Sequence, residues 1–141
     1  MPLDDVEPGR AGPVTGTVLF IEDSPPTTML VERILSGRPG VVFGSAPDGR
    51  TGLDRAARWH PDLVLLDLHL PDISGERVLA ELRADPVTRA IPVIVITGDE
   101  DPVLQLRILA QGAQGCLVKP FEVHDLLGVV DRMLRAEPTG P

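Results

Sequence analysis

The sequence predicts an α/β fold, a doubly wound five-stranded parallel sheet of order 2-1-3-4-5. Two observations carry this. Five short apolar runs alternate with five segments of helical periodicity, the pattern of successive βα units joined by right-handed crossovers. Two of the runs, Leu63-Val64-Leu65-Leu66 and Val93-Ile94-Val95-Ile96, are continuously apolar and bounded by turn residues, as strands buried on both faces are. In such a sheet ligands bind beyond the carboxyl ends of the strands, where the winding reverses, between strands one and three.

In chain order, Thr17-Val18-Leu19-Phe20-Ile21 is the first strand and ends in Glu22-Asp23. Ser24 is a good N-cap, and Pro25-Pro26 suit the first helical turn, where a missing N–H costs nothing. The helix that follows carries Leu30, Val31, Ile34 and Leu35 on one face and stops near Gly37. Residues 41–46 form a shorter second strand. Asp48 caps a second helix with Leu53, Ala56 and Ala57 inward, which must finish before Pro61, with Trp59 packed at its end. The third strand runs to Asp67, and residues 75–84 form a third helix on the stripe Val78, Leu79, Leu82.

The fourth strand, residues 92–97, is the most apolar stretch and is expected at the centre of the sheet. A fourth helix over about 102–111 has blurred periodicity, because Val103, Leu104, Leu106, Ile108 and Leu109 cannot all face one side. It is expected to expose apolar surface, a candidate partner contact. Gly112 ends it, residues 116–118 form the fifth strand, and a last helix from Glu122 to about Leu134 turns Val123, Leu126, Leu127, Val130 and Leu134 inward.

A chain of 141 residues makes one domain that buries about two-thirds of its unfolded surface. Residues 1–15, rich in Pro, Gly and Asp, read as a flexible leader, 16–136 as the domain, and 137–141 as a flexible end. No apolar run approaches the roughly 20 residues of a membrane span, so no membrane insertion is expected. The acidic N-terminus lacks the features of a signal peptide, and the single cysteine, Cys116, can form no internal disulfide; both agree with a cytoplasmic location. A net charge of −8 argues against nucleic-acid binding through this domain, since no cluster of basic residues exists to meet phosphates. Of 13 basic residues 12 are arginines, and Lys119 is the one lysine, placed where a compact point charge has a use.

Asp67 sits at the end of an apolar strand. Burying an ionised carboxylate costs several kcal/mol without compensation, so Asp67 either ends its strand at water, capping the turn before Gly75, or belongs to a site. Glu22 and Asp23 end the neighbouring strand. Carboxylates converging there repel one another, each pair by on the order of 4 kcal/mol at ~4 Å and an effective dielectric near 20. A divalent cation removes the conflict, and an all-oxygen ligand set without His or Cys suits Mg²⁺. Thr97 ends the fourth strand and Lys119 follows the fifth, so the same rim presents a hydroxyl and an ammonium, a setting that stabilises phosphoryl oxygens.

Here the chain resembles the receiver domains of bacterial two-component response regulators, over roughly residues 16–136, with the flavodoxin-like (βα)5 fold. Glu22-Asp23, Asp67, Thr97 and Lys119-Pro120-Phe121 stand in the family's order, with gaps of 44, 30 and 22 residues between Asp23, Asp67, Thr97 and Lys119 that match its usual spacing. Leu70-Pro71-Asp72-Ile73-Ser74-Gly75 is similar to the family's loop after the acceptor. The resemblance implies that Asp67 accepts a phosphoryl group from a phosphohistidine, with Mg²⁺ held by Glu22, Asp23, Asp67 and the backbone carbonyl of His69. Lys119 then pairs with the phosphoryl oxygens, Thr97 swings toward them, and Lys119-Pro120 is a cis peptide.

Such a domain is mainly a signalling switch that catalyses its own phosphotransfer and slow dephosphorylation. Its implied partners are a histidine kinase or histidine phosphotransfer protein and a downstream effector protein met through helix one, helix four or the strand-five side, and the resemblance admits a homodimer formed on phosphorylation. Cys116 departs from the pattern: it stands three residues before Lys119, where the family has Tyr or Phe, and a thiol cannot fill or vacate a ring's volume. By itself it reads as a small buried residue. His69 and Asp99 stand two residues after Asp67 and Thr97, positions that in the family influence how readily water reaches the phosphoryl group. His60 and His124 read as surface residues.

Three rivals stand beside this reading. The chain could be a receiver module of a longer hybrid histidine kinase, or a non-phosphorylated receiver-like scaffold used only for binding. A Mg²⁺-dependent phosphohydrolase with an aspartyl nucleophile would want a second acid where His69 stands.

Overall fold

The computed structural model of the chain describes residues 13–135. The elements in order are β1 (Gly16–Ile21), α1 (Pro25–Leu35), β2 (Val41–Ala46), α2 (Gly49–Trp59), β3 (Leu63–Asp67), α3 (Gly75–Ala84), β4 (Val93–Thr97), α4 (Pro102–Ala110), β5 (Gly115–Val118) and α5 (Val123–Arg135). All strand pairs are parallel, and the sheet order is β2-β1-β3-β4-β5, the expected 2-1-3-4-5.

Alternation along each strand divides the core into two layers. Val18 and Phe20 of β1 point to the side covered by α1 and α5, where they meet Val31, Ile34, Leu35, Leu126, Val130 and Leu134. Leu19 and Ile21 point the other way, to Ala56 of α2, Val78, Leu79 and Leu82 of α3 and Ile108 of α4. Every residue of β3 and β4 is buried, as central strands covered on both faces require. A fully buried Leu or Ile contributes about 1.5–3 kcal/mol, so these strands fix the sheet's centre and with it the position of whatever side chains end them.

The helix starts follow local chemistry. Thr27 N–H donates to Ser24 Oγ at 3.3 Å, Thr51 N–H to Asp48 at 2.7 Å, Arg77 N–H to Ser74 Oγ at 3.1 Å, and Val103 N–H to Asp101 at 3.0 Å. Trp59 ends α2 and lies across Gly44 of β2. His60 closes the helix in the left-handed region, with φ of 52°, and is exposed, as is His124.

Two apolar residues are not where periodicity placed them. Leu30 is 53% exposed, because the buried arc of α1 is centred on Val31, Ile34 and Leu35, and at about 100° per residue Leu30 falls beyond its edge. Val123 shares the stripe of Leu126 and Val130 but is the first residue of α5, a turn before the packed part, and is 54% exposed. The packed unit also begins earlier than residue 16, since Val14 is buried in the α1/α5 layer. Residues 1–12 of the expected leader and all of the expected end at 137–141 lie outside the described residues. Among the described residues no helix is long and apolar enough to cross a membrane.

Arg83, on the last turn of α3, ties the amino edge of the sheet together. Its guanidinium donates to the carbonyls of Gly112 (3.0 and 2.9 Å), Arg89 (3.1 Å) and Ile91 (2.9 Å) and to Gln114 Oε1 (3.2 Å). Only a planar fork reaches all of these at once. Arg83→Lys should therefore lower the stability read by urea unfolding by about 1–3 kcal/mol, the range for carbonyls left without a partner; a midpoint equal to wild type would show that the clasp is idle.

Candidate functional site

Register brings the acidic residues together. Ile21 of β1 pairs with Leu66 of β3, so Glu22 and Asp67 each follow that pair at the carboxyl edge. Asp67 pairs with Ile96 of β4, and Thr97 with Val118 of β5, which places Thr97 and Lys119 on the same edge. The Lys119 backbone N–H donates to the Thr97 carbonyl at 2.8 Å, and the Lys119–Pro120 peptide is cis.

One carboxylate oxygen each from Glu22, Asp23 and Asp67 lie within 4.8 Å of one another. Glu22 and Asp67 are buried while Asp23 is exposed, so the cluster opens to solvent on one side. The Lys119 ammonium stands 3.4 Å from Glu22 Oε1 and 3.6 Å from Asp67 Oδ1. Ser24 N–H donates to Glu22 Oε2 at 3.2 Å. Burial first, and the charge of Asp67 second, raise the pKa of Glu22 above the usual carboxylate value; the Ser24 N–H and Lys119 offset this only in part.

With all groups ionised, three carboxylates and one ammonium leave two negative charges, which a divalent cation balances. The donors are hard oxygens at a wet mouth, the setting that suits Mg²⁺, an ion that keeps several waters. The carboxylates of Glu22, Asp23 and Asp67 therefore fit such an ion.

Thr97 is fully buried, and its hydroxyl accepts from the Asp99 backbone N–H at 3.1 Å. His69 is exposed on the loop that leaves β3. Cys116 is not part of the rim. It is half-buried in the layer that holds Leu104 and Ile108, and burial pushes its thiol pKa up, which disfavours the reactive thiolate.

Two further residues shape the loop after Asp67, and neither shows a periodic or charge-run signal. A Cβ at Gly75 would overlap the Asp67 carbonyl oxygen and the Leu68 Cα, so only glycine lets the start of α3 lie against the end of β3. Asp72 accepts from the Gly49 and Arg50 backbone N–H groups, both at 2.8 Å, and so pins this loop to the start of α2. Loss of solvent pushes the Asp72 pKa up, but the bonds from Arg50, Gly49 and Ile73 outweigh that and bring it down to about 2. The orphan N–H groups of the second helix were the available clue, since every helix start needs acceptors.

Residues 18–131 match the model of the response regulator receiver domain. The nitrate/nitrite response regulator NarL of Escherichia coli K12 is 34% identical over 122 residues, 86% of this chain and 56% of NarL. The chain thus spans about half the length of that relative. Among solved structures, a chemotaxis response regulator of Vibrio cholerae is 28% identical with a TM-score of 0.79, covering 85% of this chain and 99% of its own. The receiver domain of a Pseudomonas aeruginosa sensor histidine kinase, described with a magnesium ion coordinated in its active-site cleft, is 26% identical with a TM-score of 0.77 and covers 86% and 98%.

Millimolar Mg²⁺ should raise the Tm of the wild type, because a ligand bound only by the folded state adds RT ln(1+[L]/Kd). Asp23→Ala should lose that shift, whereas Glu22→Gln, which removes a buried charge, should raise the metal-free Tm and respond less to Mg²⁺; an equal Mg²⁺ shift in Asp23→Ala would overturn the ligand assignment. The lowered pKa of Asp72 gives a pH test. Its ionised form stabilises the fold fully above its ordinary 3.8, and this contribution fades as pH falls through about 2. The stability gap between wild type and Asp72→Asn, measured by urea unfolding, should be full at neutral pH and close toward that limit.

Proposed function

Because the chain belongs to the response regulator receiver family, we propose that Asp67 takes a phosphoryl group from the phosphohistidine of a histidine kinase or histidine phosphotransfer protein and passes the signal on by a change of shape. The observation that carries this reading is the acceptor's setting: a carboxylate buried at the end of a central strand, 3.6 Å from the one lysine and within 4.8 Å of two further carboxylates.

One Asp67 carboxylate oxygen attacks phosphorus, the bond from phosphorus to the imidazole nitrogen breaks, and the imidazole leaves with that electron pair and takes a proton from solvent. The product is an acyl phosphate. Lys119 holds its charge where the transferred oxygens arrive, and burial strengthens that attraction. Glu22, Asp23, Asp67 and the His69 carbonyl would hold Mg²⁺, which when bound would supply charge neutralisation for the phosphoryl oxygens. The Thr97 hydroxyl turns from the Asp99 N–H and donates to a phosphoryl oxygen. Water later attacks phosphorus, the bond from phosphorus to the Asp67 oxygen breaks, and inorganic phosphate leaves with the carboxylate restored; His69 and Asp99, both exposed, are the side chains that set how readily that water arrives.

The effector reads a surface rather than a pocket. α4 presents Val103 and Leu106, 67% and 68% exposed, and α1 presents Met29 and Leu30. With Cys116 in place of a ring, the readout depends on the β4–α4 loop and α4 rather than on an aromatic side chain turning inward. The setting is cytoplasmic, and a homodimer formed on phosphorylation belongs to the same proposal.

Incubation with Mg²⁺ and acetyl phosphate should add one phosphoryl mass to the intact protein, and none to Asp67→Asn. Lys119→Ala should slow the gain by roughly a hundredfold. A mass gain that persists in Asp67→Asn would place the acceptor elsewhere and overturn the reading.

A further inference from the structure

α4 is held differently at its two ends. It buries only Ile108, fewer residues than any other helix among the described residues, with Leu104 half-buried and Val103, Leu106 and Leu109 facing solvent. Ile108, in the second half, is the one fully buried anchor, and Leu104, in the first half, packs half-buried against the same core. Beside these apolar contacts the two halves are held by different polar groups.

The first half hangs on a short relay that begins at the site. Thr97 Oγ accepts from the Asp99 N–H at 3.1 Å, Asp99 Oδ1 accepts from the Asp101 N–H at 2.9 Å, and Asp101 Oδ1 accepts from the Val103 N–H at 3.0 Å. The only buried member of this relay is Thr97. Around Gly98 the space is open, since a Cβ placed there would meet nothing within 4 Å.

The second half is clasped to α3. Arg107 reaches Glu76 with both arms of its fork, Nε to Oε1 at 3.1 Å and Nη2 to Oε2 at 2.8 Å, and Gln111 Nε2 adds a bond to Glu76 Oε1 at 3.3 Å. The forked geometry resists rotation as well as separation, which a single contact would not. Glu76 is itself well placed, on the first turn of α3 beside the Gly75 that lies against Asp67. The arms from Arg107 hold its carboxyl below the usual glutamate range.

We propose that the Glu76–Arg107–Gln111 clasp makes α4 a hinged helix: when the Thr97 hydroxyl leaves Asp99, residues 99–105 loosen while 107–111 stay seated on α3. The hinge lies near Leu106, just before the clasped Arg107, and the apolar residues whose surroundings change are Val103 and Leu104. For what moves Thr97 this rests on the proposed function, but the clasp itself is testable with no phosphoryl group present.

The test is amide hydrogen exchange of the full chain, followed residue by residue by NMR. Thr97→Val should speed exchange at Asp99, Val103 and Gln105 about fivefold and leave Gln111 and Gly112 within about twofold, as local opening confined to one end requires. Adding Arg107→Ala should spread the faster exchange to Gln111 and Gly112. Glu76→Gln should do the same from the α3 side, which separates loss of the clasp from any change in the propensity of α4 itself. Unchanged exchange in β3 and β4 reports that each variant is folded. Equal loosening of both ends with the clasp intact, or protected second-half amides with it broken, overturns the proposal. In wild type, acetyl phosphate with Mg²⁺ should act as Thr97→Val does. A sample that gains no phosphoryl mass counts against the function reading and leaves the variant series to decide the clasp.

Discussion

Glu22 and Asp67 are buried side by side at the carboxyl edge of the sheet, with the Lys119 ammonium within 3.6 Å of both. Two carboxylates in low dielectric and one cation do not balance, and the exposed Asp23 adds a further negative charge. The rest of the molecule makes this tolerable. The central strands bury enough apolar surface to carry a strained edge, and the third and fifth strands deliver Asp67 and Lys119 to it by register rather than by flexible loops. An edge built this way suits a divalent cation, which relieves the negative charge that the fold alone leaves uncompensated.

The loops around that edge are tied by backbone donors and carboxylates rather than by apolar packing. Asp72 fastens the loop after the acceptor to the start of α2, and the relay from Thr97 through Asp99 to Asp101 fastens the start of α4. Such bonds are worth about 1 kcal/mol each when exposed to water, so these segments can rearrange without disturbing the core. The opposite edge is different in kind: Arg83 holds three segments through one guanidinium, and nothing there is arranged to move.

Much of this was legible beforehand, for particular reasons. Continuous apolar runs mark β3 and β4 as central, and once they are central a parallel sheet places Asp67 and Thr97 on one edge without reference to any other residue. The isolated Lys119 in an otherwise arginine-based chain stands out on composition alone. Leu30 was misplaced because the apolar arc read from the sequence was drawn one position too wide, and Val123 because periodicity describes a helix's angle around its axis and not where along it the packed part begins. The blurred pattern at 103–109 correctly foretold exposed apolar side chains, since a helix with no single apolar face has to leave some of them in water.

What the chain determined by itself is the fold, the order of the strands and the edge on which the acidic residues, Thr97 and Lys119 gather, because these follow from local periodicity and the handedness of βα crossovers. The contacts of Glu76 with Arg107, of Asp72 with the start of α2 and of Arg83 with three carbonyls were decided only in three dimensions. Each joins residues 6–35 positions apart through a charged side chain on the surface of an element, where no pattern of apolar residues constrains the partner.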